Sequence, residues 1–190
     1  MTKLVLIRHA EVTHSNNQRC AAGAYQFDPH VTSAGVKDVI HAVDGLDETL
    51  RMPELLLVSP LLRTRETADV ALSRSLRPGL GRFIDLRLTE FFGNQGRRGV
   101  TSEKLRQGLS PATEALFNKA KGKVLDPNET EDELRARVAS FVSDLGTSSA
   151  KVSWVVAHGF TFQMLESLLT HTPIAQVAEV PKGTARVLDI

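Results

Sequence analysis

The chain has 190 residues, 42% of them apolar and 24% charged, with a formal net charge of +1, the make-up of an ordinary globular protein long enough to bury one full hydrophobic core. A pI near 8.0 without any block of basic residues argues against a nucleic-acid partner, and no apolar run approaches the length of a membrane span. Cys20 is the one cysteine, which rules out an intramolecular disulfide and a cysteine-rich metal site and suits a reducing cytoplasm, and no secretion signal precedes the first strand.

The run Leu4-Val5-Leu6-Ile7 is apolar without alternation and passes straight into Arg8-His9. It predicts a strand buried on both faces, as in a parallel sheet. Ligands of open parallel sheets sit beyond the carboxyl ends of the strands. Arg8 and His9 therefore leave the sheet where a substrate binds, and a guanidinium beside an imidazole suits an anion, phosphate above all. Residues 10–29 are polar and turn-rich, through Asn16, Asn17, Gly23 and Asp28-Pro29, and are long enough to be a functional loop. Thr32 then caps a helix whose Val36, Val39, Ile40 and Val43 share one stripe.

Residues 54–58 read as a second buried strand. Ser59-Pro60 ends it, with Ser59 available as a cap, and opens a helix over 61–73. Residues 83–88 suggest a short strand, 90–101 an irregular loop carrying Arg97 and Arg98, and 101–120 short helices. Thr130 and Glu133 form a capping box ahead of a helix with Leu134, Val138, Phe141, Val142 and Leu145 on its apolar face. Residues 152–157 are a third buried strand, ending at His158-Gly159; a helix and a last edge strand at 185–188 complete the chain. This β/α alternation predicts an α/β fold, one domain over 1–190, in which a mostly parallel central sheet carries helices on both faces.

Three strand ends carry the same kind of chemistry. The first ends in Arg8-His9, the second in Ser59 with Arg63 one turn into its helix, the third in His158-Gly159. Parallel strands put these ends on one rim, where both imidazoles and both guanidiniums can converge. Gly159 permits a tight turn, and the helix after it offers free N–H groups to an anion.

On these residues the sequence resembles the histidine phosphatase superfamily, the phosphoglycerate-mutase-like family. Arg8-His9-Ala10-Glu11 stands for the family's Arg-His-Gly-Glu. Residues 28–35, Asp-Pro-His-Val-Thr-Ser-Ala-Gly, are similar to its D-x-P-L-T-x-x-G, and residues 59–68 to its S-x-L-x-R-A-x-x-T-A. Glu90 with Gly93 falls where members carry an acidic residue ahead of a glycine. Asn128-Glu129-Thr130 with Arg137-Val138 is similar to G-E-S and its downstream Arg-Val, and Val156-Ala157-His158-Gly159 to V-S-H-G. The motifs come in family order over most of the chain. The implied fold is the family's three-layer sandwich.

The resemblance implies a cofactor-independent, metal-independent phosphomonoesterase acting on a small phosphorylated metabolite. His9 would be the nucleophile, forming a phosphohistidine, and would have to be neutral to attack. Arg8, Arg63 and His158 would clamp the phosphoryl oxygens, with Gly159 lining the subsite. Glu90 would protonate the departing alkoxide and then deprotonate water, so it should be partly desolvated. Glu66, Glu103 and Asp85 are the other carboxylates that can serve as acid. Ala10 replaces the family's glycine; the asparagine that often follows the first motif falls at Ser15, with Asn16 and Asn17 beside it, so Ser15 and Asn16 are the expected further phosphate contacts. The alternatives are a mutase moving phosphate through the same phosphohistidine, and a weakly catalytic domain that holds a phosphorylated ligand. The modest loops over the site favour access of water and hence hydrolysis. Oligomeric state leaves no mark on the sequence.

Overall fold

The opening apolar run forms a strand because leucine and β-branched side chains can bury both faces at once. A computed structural model describes residues 2–13, 27–93, 95–98, 100–119 and 125–190. In it β1 spans Lys3–Arg8, with Leu4 and Leu6 buried on one face and Val5 and Ile7 on the other. There follow α1 (Ser33–Asp44), β2 (Leu55–Val58), α2 (Leu62–Arg74), β3 (Phe83–Ile84), α3 (Ser102–Gln107), α4 (Pro111–Lys119), α5 (Glu131–Leu145), β4 (Val152–Ala157), α6 (Gly159–Thr170) and β5 (Ala185–Asp189). The sheet order is β3-β2-β4-β1-β5. The first four strands run parallel and β5 closes one edge antiparallel to β1. This is the mostly parallel, helix-covered α/β architecture expected from the alternation of elements.

Each sheet face has its own core, as the two-residue side-chain period of a strand requires. On one face Leu4, Leu6 and Val155 pack against Leu134, Val138 and Phe141 of α5 and Phe162 and Leu165 of α6. On the other, Val5, Ile7, Leu56 and Trp154 pack against Val39 and Val43 of α1 and Ala68 and Ala71 of α2. Trp154 is wholly buried, and its indole N–H donates to the Leu50 carbonyl at 2.8 Å. A third cluster, with Phe27, Leu61, Phe92, Leu105 and Phe117, joins the loop segments to α3 and α4.

The starts of α1, α3 and α5 follow local chemistry, with Thr101 capping α3 through Lys104 N–H, and the start of α2 follows distant chemistry. Thr32 caps α1, its Oγ1 accepting from Gly35 N–H at 3.0 Å. Thr130 and Glu133 form the capping box of α5, a device worth about 1 kcal/mol. The start of α2 differs from expectation: its cap residue is Leu61, without a side-chain bond. The missing acceptor comes from Asp28, whose Oδ1 accepts from Leu62 N–H at 2.5 Å while its Oδ2 accepts from Ser110. Gly35 is required for a close approach, since a Cβ there would lie 2.6 Å from the Glu11 nitrogen.

The strand expected over 83–88 is shorter than its composition suggests. Only Phe83–Ile84 pairs with β2. The Asp85 carboxylate accepts from Arg87 N–H, turning the chain into a 3-10 turn over Leu86–Leu88, as aspartate does when it competes with a ladder. A further 3-10 turn, Ile174–Gln176, leads towards β5. Among the described residues no helix is long and apolar enough to cross a membrane. Of the long early loop, Asn16, Asn17, Cys20 and Gly23 lie outside the described residues.

Candidate active site

Parallel register brings the three strand exits side by side. His9 N–H donates to the Ala157 carbonyl and Ser59 N–H to that of Val156, each at 3.0 Å. Of the side chains at this rim His9, Ser59, Arg63 and His158 are buried and Arg8 is partly so, and they are the ones singled out from the sequence.

The His9 ring lies 2.8 Å, through Nδ1, from the carbonyl oxygen of Ala10. A carbonyl only accepts, so Nδ1 carries the proton and the lone pair of the neutral ring is on Nε2. Burial holds the His9 pKa well below its ordinary value; the nearby charges of Arg63, Arg8 and Lys182 push the same way, against the opposing bond to Ala10. Ala10 is itself fixed, its N–H donating to Thr67 Oγ1 at 3.0 Å. The His158 ring is fully buried, its centroid 5.3 Å from that of His9. Its Nε2 shares a 2.7 Å hydrogen bond with Ser59 Oγ. Burial, then Arg63 and His9, likewise hold its pKa well below the usual histidine range.

Arg63 is the second residue of α2 and is fully buried. Its Nη1 donates to the Phe27 carbonyl at 2.9 Å, and its Nη2 stands 3.4 Å from Glu90 Oε2. The same Glu90 oxygen is 3.4 Å from His158 Nδ1. The Glu90 side chain is 17% exposed, the partial desolvation expected of an acid at this place. Phe91 N–H holds its other oxygen at 3.2 Å, and Thr161 Oγ1 of α6 donates to the Thr89 carbonyl, pinning the segment. Arg8 donates through Nη1 to the Val180 carbonyl at 2.8 Å and pairs with Glu179 Oε1 at 2.5 Å. Gly159 allows that approach, because a Cβ there would stand 2.9 Å from Arg8 Cζ.

Arg8, His9, Arg63, Glu90, His158 and Gly159 are thus brought together, whereas Ser15 and Asn16 lie outside the described residues. The other carboxylates are occupied elsewhere. Glu66 takes His30 Nδ1 and Val31 N–H; Asp85 takes the Arg87 backbone and guanidinium; Glu103 is exposed on α3. Glu11 accepts from Thr32, and Glu129 holds Arg137 through both oxygens. Ser59, available from the sequence as a helix cap, is bonded to His158 instead. The signal for that was its position at a strand end level with the histidine.

Three buried nitrogens of this cluster, Arg8 Nε, Arg63 Nε and His158 Nδ1, have no hydrogen-bond partner among the described residues. Buried donors are almost always paired. The α6 N-terminus beside them has no side-chain cap, so its N–H groups are also free to meet an acceptor. The arrangement is built for oxygen atoms bearing negative charge. His9, Glu90 and His158 also have ligand atoms within 4.8 Å of one another, a spacing that could hold a metal ion. The Arg63 guanidinium stands 3.4 Å from a Glu90 oxygen, and its positive charge and that of Arg8 act on both rings and oppose a further cation there.

Two histidines buried in the neutral form link stability to pH. Between the unfolded pKa of about 6.5 and the lower folded values, the unfolded chain binds more protons, so unfolding becomes easier as pH falls. The stabilisation is complete above about pH 6.5 and is lost below it, with a limiting slope of about 1.4 kcal/mol per pH unit for each ring. Urea titrations between about pH 6.5 and 5 should show this slope, and His158→Asn should flatten it. Equal slopes in the two proteins would mean that the His158 ring is not buried neutral.

Residues 4–190 match the family model of the histidine phosphatase superfamily (branch 1). The fold is similar to that of the alpha-ribazole phosphatase from Shigella flexneri, with a TM-score of 0.68 and 22% identity over 100% of this chain and 91% of that one. It is equally similar to a mycobacterial glucosyl-3-phosphoglycerate phosphatase in complex with VO3, with a TM-score of 0.68 and 22% identity over 100% of this chain and 93% of that one. At such identity the likeness is one of fold. No curated protein matches the sequence.

Proposed function

The chain belongs to branch 1 of the histidine phosphatase superfamily, and on that premise we propose that it is a metal-independent phosphomonoesterase that hydrolyses a small phosphorylated metabolite through a phosphohistidine on His9. The observation that carries this reading is the buried His9 ring, held through Nδ1 by the Ala10 carbonyl so that its lone pair is on Nε2, in a cluster with buried nitrogens of Arg8, Arg63 and His158 that lack partners among the described residues. A nucleophile needs its lone pair, and a tetrahedral phosphoryl group needs donors on every oxygen.

In the proposed reaction His9 Nε2 attacks phosphorus in line with the leaving oxygen. The P–O bond to the alcohol breaks as the P–N bond forms, and Glu90 gives its proton to the departing oxygen. Arg8, Arg63 and His158 hold the three remaining oxygens, and Gly159 and the α6 N-terminus complete the cradle. Glu90, now ionised, takes a proton from water. That water attacks phosphorus, the P–N bond breaks, and phosphate leaves with His9 restored. Ser15 and Asn16 are further proposed contacts to the phosphate. The phosphatase names of the two structural neighbours support hydrolysis over phosphate transfer.

The test is steady hydrolysis of an aryl phosphate in the presence of a chelator, with Glu90→Gln run in parallel. For an alkyl phosphate, whose poor leaving group needs a proton, the variant should lose about a hundredfold or more in rate. For a nitrophenyl ester, which leaves unassisted, it should lose far less in the first step. Equal losses would remove Glu90 as the acid. Activity seen only as exchange with a bisphosphate primer, or phospho-ligand binding without turnover, would overturn the phosphatase.

A further inference from the structure

We infer that Glu179 is an internal counter-anion of the phosphate subsite, holding Arg8 in the empty site and competing with phosphate for it. The inference rests on the phosphatase reading above, because it takes Arg8 as a phosphate ligand.

The segment before β5 folds back over the rim. Gly183 N–H donates to the His9 carbonyl at 3.1 Å, Arg8 N–H donates to that of Thr184 at 3.1 Å, and the Val180 carbonyl accepts from Arg8 Nη1. This stitching carries Glu179 onto the guanidinium, with Oε1 2.5 Å from Nη1. The same oxygen lies 2.7 Å from where a Cβ on Gly159 would stand, against the uncapped start of α6. A carboxylate oxygen in this position pairs with the guanidinium that a phosphoryl oxygen would seek, and it does so close to Gly159 at the start of α6.

The two sides of the pair are not equally held. The Arg8 side chain is 14% exposed and anchored to the Val180 carbonyl; that of Glu179 is 57% exposed. The Glu179 carboxylate has no second partner among the described residues. The buried member stays and the exposed member can swing into solvent when a ligand of higher charge arrives. Binding then exchanges one charge-assisted contact for another, and the same exchange run backwards helps product phosphate to leave.

Inorganic phosphate is the probe, measured as a competitive inhibitor of aryl phosphate hydrolysis and by calorimetry. Glu179→Gln removes the charge and keeps the shape; Glu179→Ala removes both. Both should bind phosphate more tightly, by about fivefold, the upper range for an exposed ion pair, and KM for the aryl phosphate should fall by a similar factor. A residue that merely propped up Arg8 would give the opposite, a weaker phosphate complex in both variants. Unchanged or weakened phosphate binding, in a protein whose wild type hydrolyses the aryl ester, overturns the role of Glu179 and leaves the phosphatase standing. A wild type that neither hydrolyses the ester nor binds phosphate overturns the phosphatase reading and this inference with it.

Discussion

Replacing His9 with Ala is expected to abolish turnover, by on the order of ten-thousandfold or more, and to leave no acid-labile phosphate on the protein after mixing with substrate. Among the described residues no second nucleophile of this cluster replaces the ring. His158 is the nearest candidate, but its Nε2 is engaged with Ser59 Oγ and its Nδ1 lies beside Glu90. The fold should survive. The backbone of residue 9 keeps its bonds to Ala157 and Gly183, and what is lost is one bond to the Ala10 carbonyl and the packing of the ring. Such a loss costs about 1–3 kcal/mol, within the stability of a typical protein of this size. Rapid quenching in base and in acid, followed by detection of bound phosphate, separates a phosphohistidine from a phosphoserine, and circular dichroism checks the fold. A folded variant that still turns over within tenfold of the wild type, or still takes up an acid-labile label, would show that the phosphoryl group travels by another route.

Much of this architecture is legible in the sequence because its signals are local. The unbroken apolar run of β1 declares a strand covered on both sides, and its exit into Arg8-His9 declares where chemistry sits. Thr130 and Glu133 announce α5 three residues apart. What escapes the sequence is side chains reaching across the fold. Ser59 before a proline reads as a cap; its place at a strand end is the one hint, and the register of β2 with β4 is what stands it against His158. Asp28 reads as a turn residue, yet it caps α2 from another part of the chain. The four candidate carboxylates look alike as letters. Burial and prior partners separate them, since Glu66 and Asp85 are already bonded and Glu90 alone reaches both Arg63 and His158. Glu179 carried no signal at all, being one exposed acid in a loop near the far end of the chain.

Arg63→Met should cost about a thousandfold in activity, the scale of losing a charged clamp on a transferring phosphoryl group, while the melting temperature holds or rises. The guanidinium is fully buried, and burial is the main cause pulling its pKa down. Its Nε has no partner among the described residues, and its contact with Glu90 is long at 3.4 Å. Burial outweighs the attraction of Glu90 and Asp28, and a buried charge whose desolvation is not repaid costs the fold several kcal/mol. Methionine removes that charge and fills much of the same space. Against this stands the Phe27 carbonyl, which loses its donor at a cost of about 1–3 kcal/mol. Glu90, 17% exposed, can turn to solvent. The desolvation term is the larger, so the empty protein should not be weakened by the change. The ligand response should invert this order. Phosphate should raise the melting temperature of the wild type by pairing the buried guanidinium, and should fail to do so in the variant. The pH profile carries a further mark. Arg63 stands next after burial among the causes that depress both His9 and His158, so the residual activity of the variant should begin its acid decline at a higher pH. A variant that keeps activity within tenfold of the wild type, or whose melting temperature still climbs with phosphate, would show that Arg63 is a structural arginine outside the subsite.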